Sequence, residues 1–249
     1  MIKFFRRIRQ QLLSENKFSK YLLYALGEII LVVIGILIAL QINTWNQERL
    51  NAKKETQFLH ELKQNLNEDQ EAVQKTLAFN QTKLTAIDSA FHYMALMKDD
   101  KTYGRQFSNK FPVLSNNILF EPTQVTFESI VSTGQIEIIQ SVGLRKQLAQ
   151  YYADTSLDGV QEQLKRNTQS FLDVTTPKMI NKEMARFFTK RDFDVAPLEA
   201  LTIHKDPEVL SKLFVMLNKT HEHNQRLKEM QVKIEELQQA IEDYLNNEL

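Results

Sequence analysis

Tyr21 to Ile42 reads YLLYALGEIILVVIGILIALQI, and this apolar run constrains the chain more than any other feature. At ~1.5 Å per residue it spans ~33 Å, enough to cross a ~30 Å hydrocarbon core. Ile29 to Leu40 contains no polar side chain. A core helix of a soluble protein usually keeps a polar face, and this run has none. A cleaved signal peptide would have a shorter apolar region and an A-x-A-like site after it. The exit here carries Leu37, Ala39 and Gln41 instead. The sequence therefore predicts an uncleaved transmembrane helix over 21–42, a basic cytoplasmic or interfacial segment over 1–20, and an extracytoplasmic helical domain over 43–249.

Flanking charge sets the orientation. Lys3, Arg6, Arg7, Arg9, Lys17 and Lys20 precede the run, with Glu15 the only acid among them. Arg49, Lys53 and Lys54 follow it and are offset by Glu48 and Glu55. Basic residues resist translocation, which keeps the N-terminus in the cytoplasm. Tyr21, Tyr24 and Trp45 stand where interfacial aromatics belong. Phe4, Phe5, Ile8 and Leu12 recur at helical spacing among the basic residues of Met1 to Leu13. That pattern fits a short helix lying on an anionic leaflet. It fits equally a basic topology determinant with no further role.

The opening also resembles a known family. The residues concerned are Phe4-Phe5-Arg6-Arg7-Ile8-Arg9, Glu15-Asn16-Lys17-Phe18-Ser19-Lys20-Tyr21-Leu22-Leu23-Tyr24-Ala25, Gly27-Glu28-Ile29, Val32 to Asn43, and Trp45-Asn46. A weaker likeness covers Ser132-Thr133-Gly134-Gln135-Ile136-Glu137-Ile138-Ile139, Leu144-Arg145 and Tyr151-Tyr152. Together they are similar to bacterial single-pass inner-membrane proteins with no assigned activity. The resemblance implies a bacterial envelope location and no mechanism.

Glu28 lies inside the apolar run, ~10 Å deep if Tyr21 marks the edge. A carboxylate at mid-membrane costs ~2.5–3.5 kcal/mol, and less near an interface. At ~100° per residue, Glu28, Gly35 and Ala39 share one stripe. Gly35-x-x-x-Ala39 is a small-xxx-small pattern suited to close helix contact. Either the stripe meets another helix, or Glu28 is protonated or reaches the headgroups and Gly35 is incidental.

With 6 Gly and 5 Pro in 249 residues, the chain lacks the turn residues of an all-β fold. From Ile36 to Tyr103 there is neither. Leu59, Leu62, Leu66, Val73, Leu84, Ile87, Phe91 and Met94 follow 3/4 spacing, with Asp69, Thr76 and Asn80 in the same seam. This predicts one long helix ending near Met97 to Asp100. Lys98 to Gln124, punctuated by Gly104, Pro112 and Pro122, reads as an irregular crossover. Val125, Ile130 and Val131 point inward on a short helix closed by Gly134. Ser141 caps a helix carrying Leu144 through Leu172, broken by Asp173 to Pro177. Met179 to Thr189 forms another, with Phe187 and Phe188 on its buried side. Asp206-Pro207 starts the last helix, whose seams are Leu210, Leu213, Leu217 and then Leu227, Met230, Ile234, Leu237, Ile241, Tyr244. The expected fold is all-α: a transmembrane helix followed by a helical bundle with two long antiparallel helices. If Tyr244 lies near Leu50, facing residue numbers sum to about 294. Thr220 and Asn224 then stand opposite Gln70 to Gln74, near Asp69 and Thr76, as a matched polar waist, unless both helices turn these residues to solvent.

The absence of cysteine removes disulfides, thiolate metal sites and thiol catalysis. A formal net charge of +0 gives no electrostatic case for nucleic acid. Phosphate-loop, dinucleotide, zincin and nucleophile-elbow motifs are missing. His221-Glu222-His223 places its histidines ~200° apart, so they cannot grip one metal and read as solvated. His60, His92 and His204 are isolated. No catalytic, cofactor or metal residue is expected. The candidate partner contact is the aromatic crossover with Tyr103, Phe107, Phe111 and Phe120, whose rings otherwise plug the bundle. The leading expectation is a non-catalytic membrane-anchored envelope protein whose partners are the lipid bilayer and another protein or a second copy. The alternatives are a solute-binding sensory subunit and an enzyme with an unrecognised site.

Overall fold

The computed structural model describes residues 18–197, 200 and 202–247. The expected interfacial helix of Met1 to Leu13, like most of the basic residues that argue orientation, lies outside the described residues. Among the described residues there are helices, turns and irregular segments but no strand. In chain order the helices are α1 (Phe18–Leu96), α2 (Tyr103–Ser108), α3 (Phe111–Leu114), α4 (Val125–Ser132), α5 (Val142–Tyr152), α6 (Asp158–Met179), α7 (Lys182–Thr189) and α8 (Pro207–Asn247). Short 3-10 turns occupy Gln135–Ile138 and Ile203–Lys205. The chain divides into two compact units, 1–56 and 57–249.

The first unit, as described, is the opening of α1. It is the one helix among the described residues that is long and apolar enough to cross a membrane. None of its most apolar stretch is buried within the chain, and its large apolar side chains from Leu22 to Ile42 stand exposed.

The second unit is a bundle built on a strict seam. On α1 and the residue after it, Leu59, Leu62, Leu66, Asp69, Val73, Thr76, Asn80, Lys83, Ile87, Ala90, Met94 and Met97 are all buried. On α8 the buried series is Val209, Leu213, Met216, Thr220, His223, Leu227, Met230, Ile234, Leu237 and Ile241. Both alternate steps of three and four without a slip, the period that keeps one helical stripe facing inward. Leu84 and Leu217 are only half-buried, and Leu210 is exposed, so the inward series runs beside them.

Side-chain pairs across the interface give the relation of the two helices. Lys63 meets Glu242 at 2.9 Å, Asn67 meets Gln238 at 2.8 Å, Asn80 meets Asn224 at 2.8 Å, and the Phe91 and Phe214 rings lie 4.8 Å apart. Partner numbers fall as α1 numbers rise, and each pair sums to about 305. The expected sum of 294 is therefore in error by about three helical turns. It assumed that Leu50 belongs to the seam, whereas Leu50 is exposed and the buried apolar series starts at Leu59. Asn224 accordingly faces Asn80 and not Gln70.

Four local readings also change. The helix after Ser141 stops at Tyr152, because the Asp154 carboxylate accepts the Ser156 N–H at 2.8 Å and turns the chain. Ser141 does cap it, accepting the Leu144 N–H at 3.3 Å. Pro177 does not break α6; it sits in the last turn, where the N–H it lacks removes only one terminal bond. On α4, Ile130 is buried while Val125 and Val131 are exposed, and Gly134 closes the helix at φ 68°. On α7, Phe187 and Phe188 are exposed, because the helix packs none of its side chains into the core.

Two apolar clusters result. One joins Leu59, Leu66 and Val73 to Leu227, Ile234 and Ile241, with α5 against it. The other joins Ile87, Met94 and Met97 to Val209, Leu213 and Met216, with Phe107, Leu114 and Phe171. Thr76, Asn80, Lys83, Thr220 and His223 lie between them in the two seams.

Candidate functional site

That polar layer is the most distinctive site in the bundle. Residues 116–124 form no helix, yet they run partly within the interior. Irregular backbone removed from water needs hydrogen-bond partners. Side chains from the helices supply them at regular intervals. The Lys83 ammonium donates to the Asn116 carbonyl at 2.7 Å, to Asn117 Oδ1 at 2.6 Å and to Thr168 Oγ1 at 3.2 Å. Gln161 accepts the Phe120 N–H at 2.7 Å and donates to the Phe120 carbonyl at 3.0 Å, copying one rung of a β-ladder. Asp69 Oδ1 accepts the Thr123 N–H at 2.7 Å, and its Oδ2 accepts the Tyr151 hydroxyl at 2.6 Å.

The spacing of these ties gives the path of the strap. Asn117 to Thr123 covers ~20 Å if extended at ~3.3 Å per residue. Lys83 back to Asp69 covers ~21 Å of helix at ~1.5 Å per residue. The strap thus lies extended beside α1 and runs the opposite way.

Charge in this layer is unusual. The Lys83 side chain is fully buried, and the three acceptors around it are neutral. Desolvation brings its amine down to about 7. His223 is fully buried as well. Its Nδ1 faces the Asn80 amide nitrogen at 3.0 Å and must accept; its Nε2 faces Gln161 Oε1 at 3.2 Å and must donate. The ring is therefore the neutral Nε2–H tautomer. Burial, and then the Lys83 charge, lower it to about 4. Burial and the Asp69 carboxylate push the Tyr151 and Tyr152 phenols up. These groups orient a strap and, apart from the buried Asn80 Oδ1, which has no hydrogen-bond partner, pair with one another or with the strap; chemically they form a clamp.

The residues singled out in the sequence fall in separate places. Glu28, Gly35 and Ala39 sit on the exposed opening of α1, and a Cβ built on Gly35 meets nothing within 4 Å. Phe107 is buried, Tyr103 stacks on Tyr93 at 6.2 Å, and Phe111 tilts against Phe171 at 5.9 Å, all in the Met97 cluster. Phe120 is buried in the other cluster. The four rings do not converge on one surface. His221 is exposed and His223 buried, so opposite directions on the helix hold while solvation of both does not. Asp69, Thr76, Asn80 and Thr220 are buried as a waist. Lys83 and His223 complete it and were missed, although three residues beyond Asn80 and Thr220 the seam period lands on each of them. Among the described residues, no cluster of three His, Asp or Glu could hold a metal ion.

A family model, DUF6090, a family of unknown function, matches residues 28–161, more than half of the chain. The chain belongs to DUF6090. The DUF6090 match starts at Glu28 and ends at Gln161. It therefore contains the strap together with Asp69, Lys83 and Gln161, the three side chains that tie its backbone. Helices α7 and α8 lie beyond it. No curated protein and no solved structure matches the chain.

Proposed function

We propose that this DUF6090 protein is a non-catalytic, single-pass protein of a bacterial inner membrane. Its N-terminus is cytoplasmic, and its helical bundle, extracytoplasmic, is presented to another envelope protein or a second copy. The observation that carries this reading is the fully exposed apolar stretch of α1. Such a surface is stable only in an apolar medium, and lipid is that medium. The basic residues before Tyr21 support the orientation. The descending pairs from Lys63–Glu242 to Phe91–Phe214 support an antiparallel, coiled-coil-like pairing of α1 with α8.

The test is a pair of reporters fused after Leu249. A periplasm-active enzyme should function there and a cytoplasm-specific one should not. The reverse result overturns the topology, and full extraction of the protein by alkaline carbonate overturns the anchor.

A further inference from the structure

We propose that the outer face of the α1–α8 pair, centred on Phe91 and Phe214, is the contact through which two copies of this chain assemble. The proposal rests on the interaction role above and chooses between the two partners named there.

Each long helix carries a second stripe beside its buried seam. At ~100° per residue, Leu77, Leu84, Asp88, Phe91 and Ala95 fall within a ~60° arc of α1. Leu210, Phe214, Leu217 and His221 fall within a ~60° arc of α8. Every one of these residues directly follows a buried seam residue, from Thr76 and Lys83 on α1 to Met216 and Thr220 on α8. In an antiparallel pair that common offset turns both stripes to the same side. The Phe91 and Phe214 rings, 4.8 Å apart, meet there. Phe214 is 52% and Leu210 39% exposed, Ala95 is exposed, and Leu84, Phe91 and Leu217 are half-buried. This side of the pair therefore stands open among the described residues.

The makeup of the face selects the occupant. Between Leu77 and Met97 the charged residues are the buried Lys83 and Asp88. On α8, Lys212, Lys219 and Glu222 point ~110° or more from the middle of the stripe. Lys219 and Glu222 pair with each other at 2.7 Å. The face is left with aliphatic and phenyl groups, one carboxylate and one imidazole, which is the charge-poor composition of an interface core. It offers no charged patch to an unlike partner and nothing that repels its own copy.

Symmetry matches this face to itself. Copies anchored in one membrane point the same way, so a two-fold axis along the bundle sets α1 of one copy against α8 of the other at unchanged height. The pairs that sum to about 305 then recur between copies. Phe91 meets Phe214 of the second copy, and Ala95 meets Leu210 of the second copy. The two phenylalanine pairs become one layer of four rings. Asp88 comes within one turn, ~6 Å of rise, of His221 of the second copy. Among the described residues neither of these side chains has a hydrogen-bond or ion-pair partner.

The area is enough for such a contact. From Leu77 to Ala95 the face is ~27 Å long and, across two helices, ~20 Å wide. Two copies together cover ~1,000 Å², the lower bound of a specific interface. Confinement to one membrane raises the effective concentration and lets an interface of that size hold.

The experiment places photoreactive benzoylphenylalanine at Phe214 of the full chain, in cells that also make a second copy with a different tag. Val142, 68% exposed, is the comparison site. The expected adduct from Phe214 carries both tags, attaches within residues 84–95 of the second copy, and is absent from Val142. Ala95→Glu should lower its yield about tenfold, because the contact would bury a carboxylate without a partner. Ala95 is exposed in the single chain, so the variant should melt at the wild-type temperature. Should it melt lower, the two-tag adduct of the unsubstituted chain alone decides. An adduct from Phe214 with a different polypeptide overturns the second copy as occupant and leaves the interaction role standing. Equal two-tag yields from Phe214 and Val142, or an adduct from Val142 alone, likewise remove this face and leave that role. Adducts confined to the same chain at both sites remove the face and the role together.

Discussion

Helix α1 uses opposite rules in its two stretches. From Leu22 to Ile42 it exposes Leu, Ile and Val, whereas from Leu59 to Met97 it buries Asp69 and Lys83 along with its leucines. Hydrophobicity alone would assign the first stretch to an interior and eject those two charges from the second. The difference shows what each stretch lacks. The first has a fully satisfied backbone and apolar side chains, so it needs only an apolar medium. The second lies beside a strap with unpaired backbone groups, so it needs polar side chains in its core.

The most damaging way to break the second stretch is Asp69→Ala. It leaves the Tyr151 hydroxyl and the Thr123 N–H buried without their acceptor and opens a cavity. A loss of about 3–5 kcal/mol is expected in denaturant unfolding of the detergent-solubilised chain. A loss below 1 kcal/mol would show that the strap does not depend on this tie.

Acid tests the same layer through His223. Its folded value of about 4 lies below the ordinary 6.5, so between these values the unfolded chain binds more protons. Stability is complete above 6.5 and declines as pH falls toward 4, by about 3 kcal/mol from this group. Comparing the pH profile of His223→Gln with the wild type isolates that slope; identical profiles would place the titration elsewhere.

The first stretch is broken by Ile34→Lys. A cation at mid-span costs ~2.5–3.5 kcal/mol, and a measurable fraction of the chain should leave the membrane pellet. Unchanged partition would mean that this face does not meet lipid.

Lys83→Met sharpens the contrast, because it removes a buried charge of nearly the same shape. Below pH 7 the ammonium is held in the core against its preference for water, and that penalty is relieved as pH rises from about 7 to 10.5. The variant escapes that penalty but leaves the Asn116 carbonyl without its donor, at a cost of about 1–3 kcal/mol. Its stability relative to the wild type should therefore be highest at pH 6 and fall toward pH 10. Crossover amides near Asn117 should exchange hydrogen faster, since their anchor is gone.

The smallest effect is expected at the rim. Lys63 and Glu242 are 31% and 51% exposed, so Lys63→Ala should cost no more than about 0.5 kcal/mol. A larger loss would mean that surface pairs, and not the polar layer, fix the pairing of α1 with α8.

Much of this was legible in the chain because helices are local. The Gly- and Pro-free run from Ile36 to Tyr103, the cap at Asp206, where the carboxylate accepts the Glu208 N–H at 2.9 Å, and the left-handed Gly134 follow from neighbouring residues. The seam was legible too, and its unbroken period passes through Lys83 and His223. A reading by hydrophobicity stepped aside to Leu84 and left both residues out. The exposed apolar stretch of α1 follows from composition, since twenty apolar residues on every face of one helix cannot be covered by that helix.

Only the tertiary structure decided the rest. Whether Asp69 and Lys83 face water or the core depends on residues 54 and 33 or more positions away, at Thr123 and Asn116. The register of α8 depends on where its seam meets the start of the buried series at Leu59. The exposure of Phe187 and Phe188 depends on how Asn181 and Lys190 carry α7 away from the core. Each is a contact between segments distant in sequence. Neither helical period nor propensity encodes such a contact; it forms when buried backbone and buried charge find, in the packed chain, the partners that replace water.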